Sequence, residues 1–162
     1  MNIARLKNII AVHVALLSFL MPATAQTVDP PYLHYKSDAW VVHQLESLSL
    51  TEKIAQLFTV AVYPDLGETS KSRSMEIISK YSPGGILLMK GSPCESAGWI
   101  NDFQKASKIP LLVAVDGEWG LAMRTDSTQR YPYAQALGAI GDTALLYQMG
   151  KEIAQQMKLM GI

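Results

Sequence analysis

The chain has 162 residues, with 14 Lys and Arg balanced by 14 Asp and Glu, so its formal net charge is zero. That balance, without a basic stripe or a block of like charge, excludes an electrostatically driven nucleic-acid binder and a charged disordered tail. The single cysteine, Cys94, excludes an internal disulfide, so the fold must rest on its apolar core.

Residues 1–25 have the pattern of a cleavable export signal. Arg5 and Lys7 make a basic start, and residues 9–20 are apolar apart from His13 and Ser18. Ala23-Thr24-Ala25 is a small-residue cleavage site before Gln26. The competing reading, a membrane anchor, needs about 20 apolar residues, and Pro22 closes this stretch too soon. The expected destination is a periplasm or the cell exterior, with no membrane attachment after cleavage. Loss of Arg5 and Lys7 leaves 12 of the 14 basic residues, so the mature chain stays near neutrality. Residues 26–37 are Pro- and Tyr-rich and predict an extended linker, and residues 38–162 form the folded domain.

Ser37 or Asp38 can cap a helix carrying Trp40, Val41, Gln44, Leu45 and Leu48. Ser49 and Glu52 have capping-box spacing, which predicts a second helix with Leu50, Ile54 and Leu57 as its buried stripe. Residues 58–63 are β-branched and aromatic and stop at Pro64, the pattern of a strand. A helix over 70–80, an apolar run at 86–89 opened by Gly84-Gly85, a helix over 93–106 and an apolar run at 111–115 follow. Residues 116–141 are expected to be loop. Asp142 then caps a last helix with Leu145, Leu146, Met149, Ile153, Ala154 and Met157 on one face. Gly161 has the position of a helix-terminating glycine and Ile162 of the first residue in a fourth strand, so the domain is expected to be truncated before that strand.

Continuous apolar strands alternating with helices imply a parallel sheet covered by helices. A doubly wound sheet and a (β/α)8 barrel both begin this way. Neither a G-x-G-x-x-G nor a Walker-type loop follows a strand, so the sequence offers no nucleotide site. No cofactor or metal is implied. Cys94 is expected to be a half-buried small residue, and His34 and His43 to be solvated or capping residues.

The most informative segment is Asp116-Gly117-Glu118-Trp119-Gly120-Leu121-Ala122-Met123-Arg124. It starts at the carboxyl end of a buried parallel strand, the ligand-facing edge of both candidate folds. A carboxylate accepts charge-assisted hydrogen bonds from hydroxyls, Arg124 offers a planar donor set, and Trp119 could lie against a pyranose ring. The bland alternative is an Asp-Gly turn with Glu118 paired to Arg124 and Trp119 in the core. Asp116 and Glu118 do not suit the catalytic pair of a retaining glycosidase. Such carboxyls must flank the scissile bond, whereas two acids on one short loop approach from one side.

Four blocks carry a family resemblance. They are Leu50-Thr51-Glu52-Lys53-Ile54-Ala55-Gln56-Leu57, Pro83-Gly84-Gly85-Ile86-Leu87, the 116–124 loop, and residues 132–138 with Gly161-Ile162. Together they resemble the N-terminal barrel of family 3 glycoside hydrolases, above all the β-N-acetylhexosaminidase branch. The resemblance implies a (β/α)8 TIM-type barrel, a two-step retaining mechanism and a carbohydrate substrate. It implies that Asp116 binds hydroxyls of the terminal sugar and that Arg124 supports the same pocket, with Glu118 either structural or bracing Arg124; Trp119 and Glu118 are further substrate-binding candidates on the reading of the loop itself. Trp119 stands where many family members have Gly, and Tyr133 lies in a variable segment. The family's Lys-His motif, acid/base His and nucleophilic Asp match no position here and are expected beyond Ile162. The 162-residue chain alone is therefore expected to be inactive, and three of eight strands are expected to leave an association-prone sheet edge. A β-glucosidase or xylosidase of the same family and a non-catalytic sugar-binding protein remain the alternatives.

Overall fold

In a computed structural model of the protein, residues 29–162 are described, and the expected export signal lies outside them. The described residues fall into two parts, residues 29–43 and Gln44–Ile162. In the first part, the segment expected to be extended instead turns as a short 3-10 helix, Pro31–Tyr35. Pro31 presets a helical φ, and the Leu33 N–H closes the turn on the Pro30 carbonyl at 2.9 Å. Every residue from 29 to 40 is exposed, His34 among them; His43 is exposed as well.

Helix α1, Ala39–Ser47, begins where Asp38 Oδ1 accepts the Trp40 N–H at 2.8 Å. Its apolar residues Trp40 and Leu45 are exposed among the described residues, whereas Leu48 just beyond the helix is buried. Helix α2, Leu50–Ala55, starts with the expected capping box: the Ser49 hydroxyl accepts the Glu52 N–H, and Glu52 Oε2 accepts the Ser49 N–H at 2.8 Å. The stripe read as buried is not. Leu50 is 72% exposed and Leu57 85%, and Ala55 is the residue this short helix turns inward. Capping decides where a helix starts but not which face finds a neighbour.

Three strands follow: β1, Thr59–Val62; β2, Gly85–Leu88; and β3, Leu112–Val115. They form one parallel sheet in the order β1-β2-β3, with Val60, Ile86 and Val113 in register. The crossovers are α3, Gly67–Tyr81, and α4, Pro93–Ala106. Helix α3 starts three residues earlier than expected because a 3-10 turn, Pro64–Leu66, runs directly into it. It stops at Ser82 with φ +51, where Pro83 disfavours further helix. Helix α4 has the expected bounds, with Ser92 Oγ accepting the Glu95 N–H and Pro93 in the first turn. Cys94 lies in that first turn and is exposed, not half-buried, because the turn projects beyond the packed face.

The core lies between one face of the sheet and these two helices. Val62, Ile78, Ile86, Leu88, Trp99, Ile100 and Phe103 pack there, with Trp99 and Phe103 edge-to-face at 5.9 Å. Each large side chain buried in this way contributes roughly 1.5–3 kcal/mol of transfer free energy. The Gln104 side chain ties β3 to α4: its Oε1 accepts the Leu111 N–H at 2.9 Å and its Nε2 donates to the Leu111 carbonyl at 2.8 Å. Lys71 and Asp102 join α3 to α4 across 2.8 Å.

Among the described residues only the central strand β2 is covered on both faces, with Gly85 buried and Leu87 half-buried; the outer strands are not. Residues of the other parity, Thr59, Ala61, Leu112 and Ala114, are exposed, and Leu112 is 79% exposed. Both crossover helices pack on a single face, so on the second face the outer strands stay uncovered among the described residues. Helix α5, Ala134–Ile140, occupies part of the stretch expected to be loop, and Gly141 ends it with φ +68. Helix α6, Thr143–Leu159, is capped by Asp142 Oδ1, which accepts from the Ala144 and Leu145 N–H groups. Its expected stripe is only partly covered: Met149, Ile153 and Met157 are half-buried and Leu145 is exposed. Among the described residues no helix is long and apolar enough to cross a membrane.

Candidate functional site

Asp116 follows β3 by one residue and keeps the parity of Leu112 and Ala114, which places it at the carboxyl edge on the open face of the sheet. The loop beyond it folds back on itself. The Gly120 N–H donates to the Gly117 carbonyl at 3.0 Å, and Gly120 takes φ +82 where a Cβ would meet Tyr131 Cδ2 at 2.9 Å. A 3-10 turn, Leu121–Met123, then buries Leu121 in the core and carries Arg124 back to the strand end. There the Arg124 Nη2 donates to Asp116 Oδ2 at 2.6 Å, with the two side chains 22% and 45% exposed. The two strongest sequence candidates are thus brought together.

The other two fare differently. Glu118 does not take the guanidinium; Asp116 does, because the Gly117–Gly120 turn breaks the extended chain between the two acids. Glu118 is exposed and bridges Gly120 through its backbone. Trp119 is half-buried, with its ring edge-to-face against Tyr133 at 4.6 Å, and its indole N–H is buried without a partner. It is neither an open platform nor a core residue. Arg130 lies over the Tyr133 ring and donates to its hydroxyl. Tyr131 anchors the far side of the loop to α6: its hydroxyl donates to Glu152 Oε2 at 3.3 Å and accepts from Gln156 Nε2 at 3.1 Å. Burial, and then the neighbouring Glu152 carboxylate, raise the Tyr131 phenol above its ordinary range.

Beside the Asp116–Arg124 pair lies a polar cavity of about 280 Å³, lined by Asp65, Lys90, Gly91, Arg124, Thr125 and Asp126 among others. It is built where the segments leaving all three strands converge: Asp65 follows β1, Lys90 and Gly91 follow β2, and Arg124, Thr125 and Asp126 belong to the loop after β3. The convergence is close. Gly91 and Thr125 form a parallel bridge, and the Asp126 N–H donates to the Gly91 carbonyl at 3.1 Å. Gly91 has φ +138, and a Cβ there would lie 2.6 Å from Pro64 Cβ. The sequence reading missed Asp65, Lys90 and Asp126. The first two carry the signal that singled out Asp116, a charged residue just past the carboxyl end of an apolar run, which was applied to the third strand only. Among the described residues no group of three or more His, Cys, Asp or Glu side chains is placed to hold a metal ion.

The arrangement suits recognition of a hydroxylated ligand. Carboxylates and cations face one small cavity at the edge where parallel α/β folds bind ligands, and a hydroxyl can donate to one kind of group while accepting from the other. The acids come from segments on one edge of the sheet, an arrangement suited to gripping hydroxyls from one side.

Comparison with known proteins accords with this geometry. The sequence profile described as "Glycosyl hydrolase family 3 N terminal domain" matches residues 49–162. No curated protein sequence matches the chain. The structure is similar to that of a glycoside hydrolase family 3 β-N-acetylglucosaminidase from Paenibacillus sp. str. FPU-7, with a TM-score of 0.60 and 26% identity over 72% of this chain and 23% of that one. The chain therefore spans about a quarter of that enzyme's length. Two structures of the β-glucoside phosphorylase BglX, one bound to 2FGlc, align with TM-scores of 0.44 and 0.41 and identities of 27% and 29%. They cover 59% and 51% of this chain, and 15% and 13% of theirs. Because the profile match takes in the whole sheet, both crossover helices and the Asp116–Arg124 loop, the chain belongs to glycoside hydrolase family 3 and contains sequence of its N-terminal domain.

Proposed function

We propose that a longer protein carrying this chain releases terminal β-linked N-acetylhexosamine from glycans or peptidoglycan fragments, acting outside the cytoplasm after removal of residues 1–25. The observation that carries the reading is the Asp116–Arg124 pair, held at the carboxyl edge of β3 beside a polar cavity. In this reading Asp116 accepts hydrogen bonds from ring hydroxyls and Arg124 fixes its orientation. Binding energy realised there, away from the reacting carbon, aligns and distorts the sugar for attack. The catalytic acid/base and carboxylate nucleophile of a retaining mechanism are supplied by other parts of the longer protein. Membership of the family supports glycoside hydrolysis. The similarity to a β-N-acetylglucosaminidase supports the N-acetylated substrate.

A panel of p-nitrophenyl glycosides given to the full-length protein tests this. The expected outcome is a kcat/KM at least tenfold higher for the N-acetyl-β-glucosaminide than for the β-glucoside or β-xyloside, a difference of about 1.4 kcal/mol in transition-state stabilisation. Preference for the plain glycosides would replace the reading with a β-glucosidase or xylosidase. Saccharide binding without turnover would replace it with a sugar-binding protein. The isolated 162-residue chain is expected to show no turnover.

A further inference from the structure

The polar cavity is lined by Arg124 of the Asp116–Arg124 pair, though not by Asp116, and carries further charge of its own. Arg124 is neutralised by Asp116 at 2.6 Å. Asp65, Lys90 and Asp126 line the same cavity, yet none of them makes an ion pair within 4.0 Å among the described residues. Two carboxylates and one ammonium thus face a space of about 280 Å³ without neutralising one another. Lys90 is exposed and lies two residues past the end of β2. Its charge is the one cationic charge lining the cavity that no carboxylate among the described residues already takes up.

We infer that Lys90 is a substrate-contacting, specificity-determining residue that donates to a ring hydroxyl oxygen while Asp65 or Asp126 accepts that sugar's hydroxyl protons, so that the cavity selects a neutral sugar over an acidic one. The inference rests on the saccharide reading above and adds the substrate's charge to it. Three considerations lead to it. At about 280 Å³ the cavity falls just below the range of about 300–1,000 Å³ for ligand pockets, a size suited to a single sugar unit. Its lining, once Arg124 with its counter-charge outside the cavity is set aside, has one positive and two negative groups, so a uronate or other sugar carboxylate meets a net like charge. A neutral hydroxyl meets both a donor and an acceptor, the combination that a sugar hydroxyl satisfies and a carboxylate does not. Lys90 and Asp65 come from different strands, and the bridge between Gly91 and Thr125 holds the β2 and β3 segments together around them.

The test uses the full-length protein and whichever neutral p-nitrophenyl β-glycoside it cleaves best, together with analogues lacking one ring hydroxyl at a time. Lys90→Met is expected to lower kcat/KM by about 10- to 100-fold, the loss of one hydrogen bond to a charged group. It is expected to have no such effect on the one analogue that lacks the partner hydroxyl. Lys90→Arg should restore most of the activity, and thermal unfolding should be unchanged because Lys90 is exposed. Asp65→Asn with Asp126→Asn should raise the relative rate on a p-nitrophenyl glucuronide at least tenfold. A Lys90→Met enzyme within twofold of wild type, or an equal loss on every deoxy analogue, overturns the inference. Best cleavage of a plain glucoside would overturn the N-acetylhexosamine reading alone, since the deoxy series on that glucoside still tests Lys90. If no glycoside is cleaved, NMR titration with free N-acetylglucosamine and glucose decides, and absence of binding overturns both.

Discussion

Replacing Asp116 by Asn separates a structural from a ligand-binding role for the acid at the end of β3. The side chain keeps its shape and one acceptor oxygen, but Arg124 loses its counter-charge. Asp116 is 45% exposed and Arg124 22%, so solvent screens the pair despite the 2.6 Å separation, and exposed ion pairs of this kind contribute about 0.2–1 kcal/mol. The stability loss is therefore expected to be at most about 1 kcal/mol, a shift in Tm of a few degrees. A carboxylate that accepts a sugar hydroxyl contributes about 1.5–3 kcal/mol that an amide only partly replaces, which corresponds to roughly 10- to 100-fold in kcat/KM. Glycoside turnover and thermal unfolding, both measured on the full-length protein, read the two quantities independently. A turnover within twofold of wild type, or a stability loss above about 3 kcal/mol, would refute the reasoning, since either result makes Asp116 a partner for Arg124 and nothing more.

Phe103→Ala removes a ring with no exposed surface from the packed face of α4 and should cost about 3–5 kcal/mol in chemical denaturation. Gly91→Ala forces a side chain into a φ of +138 and against Pro64, which should cost about 2–4 kcal/mol and weaken sugar binding, measured by unfolding and by titration. The Glu52 carboxyl is lowered to about 2, first by the Lys108 ammonium bonded to it and then by the Ser49 backbone and hydroxyl. Because its folded value lies below its unfolded one, the stabilisation is complete above about pH 4.5 and is lost as pH falls toward 2. Glu52→Gln should flatten the Tm profile across that window, and an unchanged profile would count against the Glu52–Lys108 contact.

Much of this protein was legible from neighbouring residues alone. Ser49 with Glu52 and Asp142 with Ala144 and Leu145 cap their helices through contacts two or three positions apart, so their spacing in the chain is the structure. The same holds for the apolar runs of the three strands and for Asp116 at the end of the third, because a strand's carboxyl end is a local feature. Helix α5 was missed for a related reason: at seven residues and without a buried position it has almost no periodicity to read, although Gly141 marks its end. Tertiary structure decided the rest. Leu50, Ile54 and Leu57 have a helical period, but whether that stripe is covered depends on what lies opposite, and all three are exposed. Arg124 could have paired with Glu118 or Asp116, and the return path set by Gly120 and Leu121 chose Asp116. Asp65, Lys90 and Asp126 are far apart in sequence and share a cavity because parallel register aligns three strand ends. Local hydrogen bonds act between residues already held close by the chain, whereas register and burial depend on contacts that form only when distant segments meet.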